Sequence, residues 1–543
     1  MLPKADLVLR NGRVWGGLAE GVTEAVALWS GRVLATGTDG EIESLIGPST
    51  TVVDLRGRLA TPGLNDAHMH LLPLGIVMAE VDVRPAAAPT LDALLAKIKA
   101  AADRQGPGQW VLARGYDHFK LDTGRHPTRD ELDAVAPGNP VYVVRTCGHL
   151  AVANSLALRL AGIDERSAAP QGGAIEQRDG RLTGLLAENA RDPLTSILPA
   201  LTEAQLVDAI ERAGKLCLGF GITSVMDAAV GIRAGYPELP AYQRAKRDGR
   251  LPVRTYQCLL GGPGGIVEEA YANGLLTGTG DDRLMLGPVK IFTDGSAGGR
   301  TAAMSESYLG DTPEHGILCL KPAELNDYVL DYHLKGYQMA IHAIGDTAIQ
   351  QTLDAYERAF AAEPAPNRRH RIEHCGFLSD AQIDRMVALG VQPAPQPVFM
   401  VDFGDLYVSV VGEERAAAAY PMRRWLNAGL FPAASSDAPV CDINPFPNLY
   451  GMITRRTGKG TLLGGQERIR LDEALSAMTY NGTYVAHAER VKGRLVPGQL
   501  ADIAVFSRDL FDASPDEIHH DTACDLTILG GEIVHDRLAG SGR

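Results

Sequence analysis

The chain is poor in cysteine and contains no Cys-x-x-Cys pair. Its 543 residues include 7 cysteines, an odd number scattered along the sequence. Such a set indicates a reducing compartment rather than a disulfide framework, because frameworks need paired cysteines. We therefore expect a cytoplasmic protein.

Long apolar runs and an excess of positive charge are also absent. The N-terminus lacks the uncharged apolar region of a signal peptide, and no run is long enough to span a bilayer. The formal net charge of -14 argues against nucleic acid and anionic membrane surfaces as partners. We expect a small-molecule partner, no nucleic acid and no membrane, and a homodimer is the usual expectation for an oligomer.

The most informative feature present is a His-x-His pair, His68 and His70, in the run that begins at Thr61. Side chains alternate along a strand, so these two residues share a face and can reach one metal ion. A lone pair at this spacing is weak, because histidines also occur hydrogen-bonded in a core. The rest of the chain decides between these interpretations.

Downstream, short apolar runs end repeatedly in a polar residue suited to metal chemistry. With the His68 run they make about eight, the number that closes a (β/α)8 TIM barrel. Helical patterns lie between them, and a barrel carries its chemistry at the C-terminal ends of its strands. The predicted strands are residues 221–227, 254–260, 286–294, 338–346, 370–374, 391–396 and 431–437.

Four polar residues in these runs have a structural alternative to metal binding. His342 and His374, taken singly, are more often core histidines than ligands, and Asp437 could cap a turn. Lys290 is harder to dismiss, because burying an unpaired ammonium costs several kcal/mol or forces a pKa shift. It needs either an ion pair, with Asp294 nearby, or a chemical modification. The joint occurrence with His68 and His70 makes six independent structural explanations improbable.

At this point the sequence resembles the amidohydrolase superfamily, and within it the amidohydrolase family 3 branch, which includes N-substituted formamide deformylases. The resemblance spans nearly the whole chain, and its motifs are specific for the branch but not for the substrate. The matching segments are residues 62–70, 289–296, 342–346, 371–374 and 435–439.

The resemblance implies a binuclear metal site. His68, His70 and Asp437 would bind one divalent ion, and His342 and His374 a second. Lys290, carboxylated on its amine by carbon dioxide, would bridge the two ions. Nitrogen and oxygen ligands without thiolates fit zinc, with manganese, nickel or iron allowed by geometry.

The length exceeds the roughly 250 residues of a simple barrel, so further domains are required. Both ends of the chain have β character with hairpin turn signals, which predicts a β-sandwich from residues 1–60 and 491–543. The barrel would occupy residues 61–490. An inserted α/β domain, residues 72–201, would act as a lid or substrate wall; within it we predict helices at 90–102 and 149–160.

Further candidates for the pocket come from recurring family segments. His149 could orient a substrate carbonyl or stabilise an oxyanion, or merely cap a helix. Cys375, next to His374, is tempting as a nucleophile, but buried cysteine is more often inert. Candidate substrate-binding residues are Tyr116, Asp117, Glu188, Asp294 and Arg300.

The predicted chemistry is metal-assisted hydrolysis of a non-peptide carbon-nitrogen bond, with N-substituted formamides and N-acyl amines as candidate substrates. Asp437 would take a proton from an activated water and deliver it to the departing nitrogen. The carbon-nitrogen bond follows only from the resemblance. An esterase, lactonase or phosphotriesterase with the same site is one alternative, and a metal-binding protein with a retired active site is another.

Overall fold

The computed structural model describes residues 3–145, 150–170, 173–365 and 367–539. The predicted catalytic residue His149 lies outside these ranges. Within them, no helix is both long enough and apolar enough to cross a membrane.

The chain forms two compact units, Met1–Leu74 with Ile210–Arg543, and Gly75–Ala209. The second unit covers most of the segment predicted as an insertion.

The elements follow one another in this order up to the return into the first unit: β1 (Leu7–Arg10), β2 (Arg13–Gly17), β3 (Gly21–Thr23), β4 (Ala25–Trp29), β5 (Arg32–Gly37), α1 (Asp39–Glu43), β6 (Thr51–Asp54), β7 (Leu59–Pro62), β8 (Leu64–Met69), α2 (Leu71–Val77), β9 (Val81–Asp82), α3 (Leu91–Gln105), β10 (Val111–Tyr116), α4 (Arg129–Val135), β11 (Val141–Arg145), β12 (Leu150–Ala153), α5 (Ser155–Leu160), β13 (Gly173–Arg178), β14 (Arg181–Glu188), a 3₁₀ helix (Asn189–Arg191), α6 (Asp192–Thr195) and α7 (Glu203–Gly219).

The remaining elements are β15 (Ile222–Val230), α8 (Glu238–Arg247), β16 (Arg254–Leu260), α9 (Val267–Ala272), β17 (Leu284–Phe292), α10 (Pro322–Leu334), β18 (Met339–Ala343), α11 (Asp346–Ala362), β19 (Arg371–His374), α12 (Asp380–Leu389), β20 (Gln392–Ala394), α13 (Val398–Val411), α14 (Glu413–Ala418), α15 (Met422–Asn427), α16 (Phe446–Thr454), a 3₁₀ helix (Gly465–Glu467), α17 (Leu471–Ala477), α18 (Tyr480–Val485), β21 (Ile503–Phe506), α19 (Pro515–His520), β22 (Cys524–Leu529) and β23 (Glu532–Asp536).

The centre of the first unit is a parallel sheet in the order β20-β19-β18-β17-β16-β15-β8. Its strands alternate with helices along the chain, and a strand such as β15 is buried at every residue. Continuous apolar strands of this kind are typical of a parallel sheet covered on both faces. The sheet is therefore a nearly closed α/β barrel, as the alternation of short apolar runs with helical patterns predicts.

The eighth side of the barrel differs from the prediction, because residues 431–437 form no regular strand. The segment still bonds both edges of the sheet: Ala433 N–H donates to Pro393 O at 3.1 Å, and Asp437 N–H donates to His68 O at 2.8 Å. Asp437 has a positive φ of 57°, which turns the backbone out of the extended conformation that a ladder needs. An irregular segment therefore lies between β20 and β8.

The strands of both chain ends share one sheet in the order β23-β22-β21-β7-β2-β3, beside a second sheet, β5-β4-β1-β6. Strand β7 joins the two ends, since it pairs with β2 in parallel and with β21 antiparallel. Buried aliphatic residues fill a common core, among them Leu9, Val26, Ile503 and Ile528.

The second unit is an α/β structure built on the sheet β13-β14-β12-β11-β10-β9. Helix α3 begins where predicted: the Thr90 side chain accepts a hydrogen bond from Ala93 N–H, and Leu94 and Ile98 are buried. The predicted helix over residues 149–160 is wrong in its first half. Strand β12 occupies residues 150–153, and α5 begins only after Asn154, whose side chain caps it.

Candidate metal centre

Three predicted ligands, His68, His70 and Asp437, come together where β8 ends. Their candidate ligand atoms all lie within 4.8 Å of one another. Asp437 Oδ1 is 3.2 Å from His70 Nε2 and 3.4 Å from His68 Nε2. His68 and Asp437 are buried, and His70 is partly exposed. This is the arrangement that one divalent ion requires of two imidazoles and a carboxylate.

The irregular eighth segment positions Asp437 through bonds to β8. His70 N–H donates to Ala438 O at 2.8 Å, which complements the bond from Asp437 N–H to His68 O. Beside them, Ser436 Oγ donates to the Asp66 carboxylate at 2.5 Å. These contacts hold Asp437 in its left-handed conformation, which residues other than glycine adopt rarely and which clusters at functional sites.

Lys290, on β17, reaches the same place. Its side chain is fully buried, and Nζ lies 3.4 Å from His68 Nε2 and 4.9 Å from the centre of the Phe292 ring. Among the described residues, Lys290 has no ion-pair partner. Burial lowers the pKa of its amine, although Glu373 opposes this. The neutral amine is the form that reacts with carbon dioxide.

His342, on β18, and His374, at the end of β19, complete the cluster. Their ring centres are 4.4 Å apart, and His374 is 4.9 Å from His68. His374 Nδ1 contacts Gln396 Oε1 at 2.6 Å, whereas His342 Nε2 lies 3.1 Å from Gly295 O. Burial, reinforced by the neighbouring His342, lowers the pKa of His374 well below its usual value, so its imidazole is neutral.

The Amidohydro_3 family model, described as Amidohydrolase family, matches residues 51–535. This chain belongs to the amidohydrolase family. The match extends from the N-terminal strands through the barrel to β23 and includes all six predicted ligands.

Individual relatives of this amidohydrolase cover nearly all of it. Protein LONG AFTER FAR-RED 3 from Arabidopsis thaliana is 31% identical, over 98% of this chain and 92% of its own. N-substituted formamide deformylase from Arthrobacter pascens is 30% identical, over 91% and 92%. Among solved structures, an uncharacterized metal-dependent hydrolase from Pyrococcus horikoshii OT3 is 28% identical, with a TM-score of 0.78 over 95% of this chain and 100% of that one. The chain is therefore a hydrolase with the fold of a metal-dependent one.

The donor set of this amidohydrolase fits a divalent metal ion. Asp437 Oδ1 is buried and, among the described residues, makes no hydrogen bond of acceptable geometry. Burial disfavours its charge, yet the His68 and His70 imidazoles hold the pKa of Asp437 well below its usual value. A buried, ionised oxygen without a hydrogen bond is costly unless a cation completes its surroundings.

Glu373 is not among the residues predicted from the sequence, although it lies in the segment 371–374 that carries part of the family resemblance. Glu373 is fully buried; its carboxylate contacts His68 Nδ1 and accepts from Arg371 Nε at 2.7 Å. The signal was available, because Arg371 and Glu373 are i and i+2 in an apolar strand and therefore share a face. A buried charge pair in an apolar strand indicates a partner in the barrel interior.

Asp294 is a predicted substrate-binding residue, and that role stays a prediction. Its Oδ1 lies 3.3 Å from His342 Nε2, and both of its oxygens also bond the backbone. Its carboxylate accepts hydrogen bonds from the backbone N–H groups of Ala303, Ile344 and Gly345 at 2.8–3.0 Å. It also does not form the ion pair with Lys290 that was the alternative to a modified lysine. Asp294 instead joins the loop after β17 to the end of β18.

Arg300 lies in that same loop and is partly exposed. Its Nη1 is 3.5 Å from Glu314, and its backbone has a φ of 57°. The structure places no predicted metal ligand in contact with Arg300 among the described residues.

Three candidates for substrate binding lie in the second unit. Tyr116 is fully buried, and its hydroxyl is 2.8 Å from His126 Nδ1. Asp117 accepts from Arg145 Nη2 at 3.0 Å. Glu188 ends β14 with a φ of 48° and is exposed. A role for these residues stays a prediction.

Cys375 has the surroundings of an inert core cysteine. It is fully buried, its Sγ lies 3.8 Å from Met386 Sδ, and burial raises the pKa of its thiol. A thiol that resists ionisation is a poor ligand and a poor nucleophile.

Proposed function

We propose that this amidohydrolase hydrolyses a non-peptide carbon-nitrogen bond in an amide-type small molecule. The observation that carries the metal dependence is the buried Asp437 Oδ1, which lies beside two imidazoles and has no hydrogen bond from the part of the chain that the structure describes. The relative from Arthrobacter pascens, named an N-substituted formamide deformylase, supports formamides and N-acyl amines as the first substrates to test.

The chain offers ligands for two divalent ions, for which zinc fits the nitrogen and oxygen donors. His68, His70 and Asp437 would hold one ion, and His342 and His374 the other. Lys290 would be carboxylated: its neutral amine forms a bond to the carbon of carbon dioxide and releases a proton. The resulting carboxylate would remove the cost of burying an ammonium group.

When bound, the ions supply the Lewis acidity that lowers the pKa of water and polarises a carbonyl. The protein groups move the proton. Asp437 is ionised and would accept the proton of the attacking water at a carboxylate oxygen. It would then donate that proton to the nitrogen as the carbon-nitrogen bond breaks. His68 and His70 hold Asp437 in the ionised state in which it can act as a base.

A substrate panel tests the reaction class. Zinc-loaded protein is assayed with N-substituted formamides, N-acyl amines, lactones and phosphotriesters, and kcat/KM is compared. We expect the highest values with the amide-type compounds. Faster hydrolysis of lactones or phosphotriesters, with the amides untouched, would assign the same site to ester chemistry. No turnover at full metal occupancy would identify a retired active site.

A further inference from the structure

Two of the histidines in the candidate metal centre have different acceptors behind them. His68 Nδ1 contacts the carboxylate of Glu373, and His374 Nδ1 contacts the amide oxygen of Gln396 at 2.6 Å. In each case the acceptor receives a hydrogen bond from Nδ1–H, which leaves the Nε2 lone pair for a metal ion. One acceptor is an anion and the other is neutral.

His342, the second histidine of the His374 position, has its Nε2 3.1 Å from Gly295 O and 3.3 Å from Asp294 Oδ1. That carboxylate already accepts from three backbone N–H groups, whereas Glu373 faces His68 and Arg371.

Arg371 keeps Glu373 charged and fixed. Its Nε donates to Glu373 Oε1 at 2.7 Å, and its Nη2 donates to Oε2 at 2.8 Å. Arg371 Nη2 also donates to Ala67 O at 2.8 Å, which ties β19 to β8 next to His68. The group behind His68 is therefore an oriented carboxylate.

The amide of Gln396 is oriented by its own donors. Its Nε2 donates to Ser435 Oγ at 2.9 Å and lies 3.2 Å from Ala394 O. Its Oε1 is consequently directed at His374 as a neutral acceptor.

A carboxylate acceptor raises the basicity of a ligating imidazole more than an amide does, and such partners change metal affinity by about 10- to 100-fold. We propose that Glu373 is a positioning residue that makes the metal position of His68 the tighter of two unequal positions. Gln396 serves the weaker position through His374. This inference rests on the proposed metal-dependent function.

The test is a zinc titration of the metal-free, full-length protein against a chromophoric chelator. The wild-type chain should take up two ions in separate steps. Glu373→Gln, which keeps the shape and removes the charge, should weaken the tighter step by about 10- to 100-fold and leave the weaker step unchanged. The measured quantity is the ratio of the two dissociation constants. A general loss of stability would weaken both steps and would not single out the tighter one.

Glu467→Gln is the matched control. Glu467 is also buried and pairs with an arginine, since Arg424 Nε donates to it at 2.7 Å, but it contacts none of the six ligands among the described residues. We expect wild-type zinc binding from this variant. Equal effects of the two substitutions, or an equal weakening of both steps by Glu373→Gln, would overturn the proposal.

Gln396→Met is a second test, which remains informative even if Glu373→Gln fails to fold. It removes the acceptor behind His374 and should weaken only the weaker step. A change confined to the tighter step would overturn the assignment, and so would a wild-type titration with two equal steps. A wild-type chain that binds no zinc would refute the proposed function itself. Two normal steps in the wild-type chain, with no change in Glu373→Gln, would refute only the role of Glu373.

Discussion

Strand β19 has a histidine at each end, and the two differ in what surrounds them. His370 precedes the strand and is fully buried, as is His333 of α10 beside it. Met339 N–H donates to His370 Nδ1 at 3.0 Å, His370 Nε2–H donates to His333 Nδ1 at 2.9 Å, and His333 Nε2–H donates to Glu363 O at 2.8 Å. Every ring nitrogen of this pair has a partner.

The other end of β19 has the opposite character. His374 takes part in a cluster in which Lys290 has no ion-pair partner and Asp437 Oδ1 has no hydrogen bond, within the described residues. Burial of a histidine is therefore uninformative about its role by itself. Complete hydrogen bonding marks the end that stabilises the barrel, and incomplete bonding marks the C-terminal end, where barrels carry their chemistry.

The largest expected effect comes from Asp437→Asn at the incompletely bonded end. This substitution removes the base and keeps the side-chain shape. We expect kcat for the best amide substrate to fall by about 10²- to 10⁴-fold, the usual contribution of a general base, while zinc remains bound. Steady-state kinetics and elemental analysis of the same sample measure the two quantities.

Asp327→Asn, the same change on the exposed side of α10, is the control and should leave both quantities unchanged. Wild-type turnover by Asp437→Asn would refute the proton-transfer role.

A smaller effect, on stability alone, is expected at the fully bonded end. His333→Leu leaves His370 Nε2–H and the Glu363 carbonyl without partners, which should lower the free energy of unfolding by about 1–3 kcal/mol. Urea unfolding measures this loss, and kcat/KM should stay at the wild-type value. Lost activity with unchanged stability would contradict the division between the two ends.

The smallest effect is a pH dependence of stability. Burial, with the neighbouring His333 adding to it, holds the pKa of His370 well below its ordinary value of 6.5. The unfolded chain therefore binds more protons than the folded chain below pH 6.5. The stabilisation is complete above that pH and is lost as the pH falls, by about 1.4 kcal/mol per pH unit.

His370→Gln cannot titrate, so its stability should fall less steeply than that of the wild-type chain between pH 6.5 and 5. Urea unfolding across this range compares the two slopes. Parallel curves would show that His370 is not held neutral by the fold.

The strand pattern was predictable because parallel barrel strands are continuous apolar runs. Residues 254–260 were predicted as a strand, and β16 has the same bounds, Arg254–Leu260. The run at 431–437 satisfies the same criterion, but its positive φ at Asp437 depends on contacts with β8 that a local pattern does not contain. Likewise Asn154 caps a helix only because β12 ends there.

The sequence predicts which residues gather at the metal centre better than it predicts the contact that each of them makes there. His68 and His70 follow from strand alternation. The backbone amides around Asp294 come from residues 9 to 51 positions away, so no local pattern reveals that its oxygens are occupied. Glu373 lies between these cases, since its spacing from Arg371 is visible but its contact with His68, 305 residues away, is not.

The most direct test of the metal centre is the metal content of the purified protein, measured by elemental analysis before and after chelation, with amide hydrolysis assayed in each sample. We predict at least one bound divalent ion per chain, loss of hydrolysis when the ion is removed, and recovery when zinc is returned. Protein that carries no divalent ion and hydrolyses its substrate equally well with chelator present would contradict this prediction.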